Sequence, residues 1–351
     1  MSSPTRSSPA AATADAERAV PAEVRTAAAE VGLHLVGVPA ELDGIAEERS
    51  AVTGAIVLEE LARGDMGIAT AIMAPAAVAT AIAAYGDADQ QATYLPEFTG
   101  ETPPTAALAL HEPQPLFDPF ALRTTGRVEG DEIVLDGVKA IVPGAEAADL
   151  FIVSAAIDGA SRLVIVKPGT EGVTEDDPAM GVRAAKTARL HLEGARVAKS
   201  DLLGTAEDHA DAVRRARLAW AAAAVGTSQA VLDHVSEYVK ERKAFGEPIG
   251  YRQAVAFTVS DIAIELAGLR LVVWKAAARL DRGEDASAEI AQVRSLVSRH
   301  ATWIGSSGVQ LLGGHGFVKE FDNERWYRDL RGAGVLEGTL SSERGPFTPQ
   351  T

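Results

Sequence analysis

Between residues 206 and 312 the chain repeats a helical pattern three times, over about 206–243, 251–282 and 286–312. Each stretch carries one apolar stripe, and stripes of that length are buried by packing helices against one another. Few architectures accept three helices so long. The reading is a C-terminal four-helix bundle over 206–351, opened by Thr205-Ala-Glu-Asp208, which has the form of a capping box. The tail beyond Thr339, with Gly345, Pro346 and Pro349, is expected to fray.

The texture before residue 206 splits in two. Over 21–104, Ile56, Leu58, Leu61 and Ala62, then Ile68, Ile72 and Ile82, recur at helical spacings with alanine between them. Aromatic residues are scarce there, so this is read as an N-terminal domain of close-packed helices. After TPP at 102–104, short β-prone runs follow (EIVLDG, DLFIVSA, RLVIVKPG, ARLHLEG), separated by Gly, Asp and Pro. No helical run long enough for a parallel crossover lies between them, so 105–205 is read as a middle antiparallel β-domain. Ser, Pro and Ala dominate residues 1–20, the texture of a disordered leader without a secretory core. The fold class is α+β, in the order helices, β-domain, bundle.

Composition removes several functions. A formal net charge of −16 argues against nucleic-acid and anionic-membrane partners. The absence of cysteine excludes disulfides, thiolate zinc sites and cysteine nucleophiles. No apolar run is read as reaching membrane-spanning length, and the cytoplasm is the default location. P-loop, HExxH, GxSxG and Rossmann signatures are all missing. The seven histidines are scattered without ligand spacing, so no metal site is expected.

Three stretches hold chemistry. KERKAFGEPIGYRQ, 240–253, joins two bundle helices and gathers Lys240, Arg242 and Lys243 where cations also suit the helix dipole. Simple capping explains that charge; Phe245 beside Arg242 also suits an adenine nucleotide, a flat apolar face next to a phosphate fork. QLLGGHGF, 310–317, is a helix-ending turn, or a place where paired glycines let a ligand approach the backbone and Gln310 reach it. In VLEGT, Glu337 between apolar and glycine neighbours is a surface residue or a base.

Taken together, these stretches and the helical–β–helical order resemble the acyl-CoA dehydrogenases, over about residues 21–344. AMGVRAAKTARLHLEGARV at 179–197 is similar to that family's strand pair leading into the bundle. Most of the usual first helix is missing and the last helix is cut short.

The resemblance implies FAD-dependent α,β-dehydrogenation of an acyl-CoA thioester. Glu337 matches the base that takes the α-proton while the β-hydride passes to the flavin. A weakly acidic proton needs a base working near neutral pH, and apolar surroundings raise a carboxyl's proton affinity. Some branches of the family carry the base on an earlier helix, at a position that here is Ala216. Arg242, Phe245 and Gln253, with Gln310, Gly313 and Gly314, match the residues that hold the ADP half of FAD across a subunit interface. Thr339 matches a residue near the flavin. Arg217 and Gly338 match substrate-side positions, although a surface ion pair is an equally simple role for Arg217.

The flavin side departs from the pattern. The family's loop reads roughly T-E-P-x-A-G-S-D, whereas this chain has HEPQPLFDP at 111–119. Glu112, Pro113 and Asp118 are kept, but Leu116 and Phe117 stand where a glycine and a serine allow close backbone approach. The family's W-I-T strand reads Ala140-Ile141-Val142. A chain that keeps the ADP half and alters the flavin half is expected to be one subunit of a hetero-oligomeric dehydrogenase, beside a homologous partner. The alternatives are an ordinary homotetramer and a non-catalytic structural or regulatory subunit. An electron-accepting protein is the further partner the family implies.

Overall fold

The structure is a computed structural model and describes residues 9–100, 102–169, 172–334 and 336–337. Five helices form the N-terminal part: α1 (Pro9–Glu17), α2 (Ala22–Glu30), α3 (Ala51–Gly64), α4 (Met66–Tyr85) and α5 (Ala88–Thr99). Asp65 alone separates α3 from α4 and caps the second, its carboxylate accepting from the Ile68 N–H at 2.8 Å.

Two expectations need correcting here. The supposed leader is helical over Pro9–Glu17, because Ala11 and Ala14 are buried and Asp15 pairs with Arg328 at 2.9 Å. And α4, 20 residues long with an 18-residue stretch of mean hydropathy 1.8, is long and apolar enough to cross a membrane. Its alanines hid that from a search for bulky apolar runs. Here it packs on α3 and on the β-domain, with Met66, Val78, Ala79 and Ile82 fully enclosed.

The β-domain comprises β1 (Ala106–Ala109), β2 (Thr125–Glu129), β3 (Glu132–Val142), β4 (Leu150–Ile157), β5 (Ala160–Val166), β6 (Gly172–Asp176), β7 (Ala188–Ala198) and β8 (Leu202–Leu203). The four runs read as strands are β3, β4, β5 and β7. The sheet is mainly antiparallel, in the order β6-β7-β3-β2-β4-β5-β8, but β1 and β2 both pair with β4 in parallel. No crossover helix is needed. β1 takes the first half of β4 and β2 meets its end, so the chain leaves one edge after Ala109, wanders through 110–124, and rejoins the same edge at Thr125.

The bundle comprises α6 (Ala206–Glu241), α7 (Gln253–Asp281), α8 (Ser287–Leu312) and the short α9 (Asn323–Gly332), with a small hairpin of β9 (Lys243–Ala244) and β10 (Glu247–Pro248) after α6. Thr205 forms the expected capping box with Asp208. α6 belongs to two cores: most of it packs with α3, α7 and α8, while Ala212 and Val213 near its start join α4, α5 and the β-domain. On α7, Phe257, Ile264 and Leu271 form an outward row at 58%, 67% and 65% exposure, one residue every second turn.

A polar seam ties all three parts together. Arg325 of α9 pairs with Asp65 at 2.9 Å and Asp322 at 2.8 Å. Asp329 accepts from the Val182 N–H of the β-domain at 2.6 Å, and Arg328 holds both oxygens of Asp15. The segment carrying Glu337 leaves this anchored helix.

Candidate active site

After α9 the chain turns at Ala333 and Gly334 and passes close against α8. A Cβ on Gly334 would lie 2.5 Å from the Cα of Ser298, so only glycine permits the approach. Two buried arginines grip the backbone that follows. Arg294 of α8, 2% exposed, donates through Nη2 to the carbonyls of Leu336 at 3.0 Å and Gly334 at 3.3 Å. Arg217 of α6, 4% exposed, donates through Nε to the carbonyl of Glu337 at 2.9 Å. Arg217 is therefore no surface residue, and it reaches the backbone of the candidate base. Gly338 and Thr339 lie outside the described residues.

The Glu337 side chain borders an apolar cavity of about 130 Å³. Its Oε1 accepts a long hydrogen bond from Trp220 Nε1 at 3.4 Å, while Oε2 is buried with no partner. Alanines of α4 and α6, Ala216 among them, make up much of the wall, so the position that bears a base in some relatives offers only a methyl group. Thr70, Trp220 and His111 line the same space, and none of them was marked by the sequence reading.

The opposite wall comes from the β-domain. Lys139 of β3 is fully buried and donates to Glu112 Oε1 at 2.8 Å and to Ser154 Oγ at 2.9 Å. Glu112 also accepts from the backbone N–H groups of Arg123 and Thr124, so one carboxylate ties both ends of the 110–124 excursion to the sheet. Burial opposes its charge, yet Lys139 and these hydrogen bonds hold Glu112 at about 2. Burial pushes Lys139 down to about 8, against the pull of Glu112.

The substituted loop residues go separate ways. Phe117 turns inward at 1% exposure and meets the His111 ring edge-on at 4.7 Å between centroids, whereas Leu116 points out at 75%. Burial lowers the affinity of His111 for a proton, against the attraction of Glu337, and leaves its Nδ1 without a partner. Of the nine described non-glycine residues with positive φ, two belong to the predicted site, Phe245 and Glu337, and two to the altered flavin-side stretches, Leu116 and Ile141. Such backbone costs free energy and gathers where function demands it; for branched Ile141 it coincides with a register shift in the β3–β7 ladder.

The ADP-side residues sit elsewhere. Arg242 is the C-cap of α6, Phe245 is 94% exposed, and Gln253 opens α7. Gln310, Gly313 and Gly314 lie at the end of α8, and Tyr238 joins the two groups by donating to the Leu312 carbonyl at 3.3 Å. A Cβ on Gly313 or Gly314 would meet nothing within 4 Å, so the turn is an open ledge. Trp220 and Arg242 are 22 residues apart on one helix, about 33 Å at a rise of 1.5 Å per residue. The structure thus brings Arg217 to Glu337 and, at a separate place, joins the ends of α6 and α8 through Tyr238.

The site is a carboxylate in an apolar cavity between helices and a β-domain, and the proteins of this fold that the chain resembles are oxidoreductases acting on a CH–CH bond. The chain belongs to the acyl-CoA dehydrogenase family: the family models for its N-terminal, middle and C-terminal domains match residues 5–101, 107–195 and 210–345. It is 33% identical over 350 residues to the short-chain specific acyl-CoA dehydrogenase of Bos taurus, covering 96% of this chain and 84% of that protein. Against the acryloyl-CoA reductase (NADH) of Anaerotignum propionicum it is 31% identical, covering 94% and 86%. The solved acyl-CoA dehydrogenase of Geobacillus kaustophilus superposes with a TM-score of 0.84 at 25% identity, covering 96% and 91%.

Proposed function

We propose that this protein removes hydrogen across the α,β-bond of an acyl-CoA thioester, with Glu337 as the base and FAD as the hydride acceptor. The observation that carries this reading is the unpartnered Oε2 of Glu337 at the wall of an apolar cavity. A thioester α-proton is weakly acidic, so orientation and exclusion of water matter as much as basicity. Arg217 and Arg294 hold the backbone of the base, and Trp220 occupies one carboxylate oxygen, which leaves the other for the proton. FAD, when bound, supplies hydride acceptance, which no side chain offers.

The residues present fit such a cofactor. His111 Nδ1 is a second unpartnered polar atom at the cavity. The open ledge at Gly313 and Gly314 and the guanidinium of Arg242 suit an adenosine diphosphate. Trp220 at the cavity and Arg242 lie about 33 Å apart along α6, a separation that supports a cofactor shared between two subunits. The outward row on α7 supports the same assembly. The buried Phe117 and exposed Leu116 favour a homologous partner that supplies the flavin side, from which electrons pass to an acceptor protein.

Glu337→Gln is expected to lower turnover ~10²–10⁴-fold, the contribution of a general base, with fold and flavin content unchanged. Activity within a few-fold of wild type would move the base to another chain. For the assembly, flavin per protomer and oligomer mass are measured on the chain expressed alone. Substoichiometric flavin restored by a co-expressed homologue supports the shared arrangement; stoichiometric flavin in an active homotetramer refutes it.

A further inference from the structure

The cavity beside Glu337 does not end at its alanine wall. A second cavity of about 200 Å³ shares Leu58, Met73, Ala77, Leu108, Ala216 and Ala219 with it and continues between α3, α4 and α6. The shared stretch is apolar and offers no side-chain hydrogen-bonding group. The far part is different, because Arg49, Tyr85 and Arg215 line it.

These three groups converge on one carboxylate. Asp211 accepts from the Tyr85 hydroxyl at 2.7 Å, from Arg215 Nε at 2.9 Å and from Arg49 Nη2 at 3.3 Å. Arg214 lies 4.0 Å from Asp211 but is nearer Glu207, at 2.6 Å. Two guanidinium groups therefore share one carboxylate at the end of an apolar passage, and a further carboxylate nearby, Asp281, is taken up by Ser50 Oγ and the backbone N–H groups of Ala51 and Val52. The guanidinium of Arg49 also stands over the Tyr85 ring, 5.4 Å from its centroid, which fixes its place. Most telling, Arg49 Nη1 is buried without a hydrogen-bond partner. A buried charged donor left unmatched is costly, and an anionic acceptor on a ligand would relieve that cost.

We infer that this second cavity receives the distal end of the acyl group and selects acyl chains that terminate in a carboxylate, with Arg49 as the residue that recognises it. The inference rests on the reading that Glu337 faces the thioester. A polymethylene chain suits the apolar passage between the two ends. The pantetheine arm of the coenzyme does not, since its amides would be buried against alanine without partners.

The test compares adipyl-CoA with hexanoyl-CoA, using the protein in its purified assembly. Wild type is expected to favour adipyl-CoA in kcat/KM by about tenfold to a hundredfold, the range of one charge-assisted hydrogen bond. Arg49→Met should bring that ratio close to one. Gly54→Leu is the second variant. Gly54 lines the far cavity, and a Cβ there meets nothing within 4 Å, so a larger side chain can start into that space and should also abolish the preference. Calorimetric binding of both thioesters to Glu337→Gln, which cannot turn them over, reads recognition apart from chemistry. Equal handling of the two by wild type overturns the inference while leaving dehydrogenation standing. An equal loss for both in Arg49→Met also overturns it and assigns the arginine to a phosphate of the coenzyme. If neither thioester binds, the subsite is overturned, while the turnover of Glu337→Gln with other acyl-CoA thioesters still decides the role of Glu337.

Discussion

Lys139 has no contact with solvent, and its ammonium group depends on oxygens gathered from distant parts of the β-domain. Removing one partner from a buried ion pair leaves an uncompensated charge, which typically costs about 3–5 kcal/mol. Lys139→Met should lower unfolding stability by that order in chemical denaturation, and adding Glu112→Gln should recover much of it. Acid titration follows from the same pair. The folded carboxyl of Glu112 lies below its ordinary value, so its stabilisation is complete above about pH 4.5 and is lost as the pH falls toward about 2. Wild type should therefore lose stability over that window more steeply than Glu112→Gln, and identical slopes would refute the assignment. None of this was legible in the sequence. The run GVKAIV was read for the aromatic and hydroxyl it lacks, while the partner that makes Lys139 tolerable lies 27 residues away. Arg294 and His111 escaped notice for the same reason, since burial of a polar side chain is decided by long-range packing. Glu337 was legible only because a short motif surrounds it.

At the scale of elements, periodicity was a better guide. The three long helices and the strands β3, β4, β5 and β7 lie where apolar spacing put them, because each buries one continuous face. α1 escaped because a helix of nine residues rich in alanine has no stripe to read, and its anchor is an arginine near the other end of the chain. That anchor helix, α9, should make stability depend on pH. Burial, with Asp65 nearby, pushes Asp329 up to about 7. A raised carboxyl means that the folded state holds the proton more tightly than the unfolded chain. Stability from this group is thus lost as pH rises from the ordinary carboxyl range to about 7. Asp329→Asn keeps an acceptor for the Val182 N–H, and its melting temperature should vary less with pH across that window. An unchanged profile would show that Asp329 does not titrate there.

For the whole molecule, the governing fact is that one helix, α6, carries the cavity wall near its middle and Arg242 at its end. Arg242→Ala should weaken FAD binding by about 1.5–3 kcal/mol, the value of a charge-assisted contact, in titrations of the apo assembly. If Arg242 only caps α6, the substitution will instead lower thermal stability slightly and leave flavin affinity alone. Domain order was legible because each third of the chain has its own texture. The cavity was not, since alanine reads the same whether it fills space or borders it.

The path of the chain between Ala109 and Thr125 has a consequence for how such a protein diversifies. Both ends of that excursion dock on the same edge of β4, so the sheet is indifferent to the length and content of what lies between. Yet Glu112, which ties the two ends together, and the buried Leu110 and Phe117 are answerable to the scaffold. The exposed remainder, Leu116 among it, behaves as an interchangeable insert whose chemistry can be rewritten without renegotiating the ability to fold.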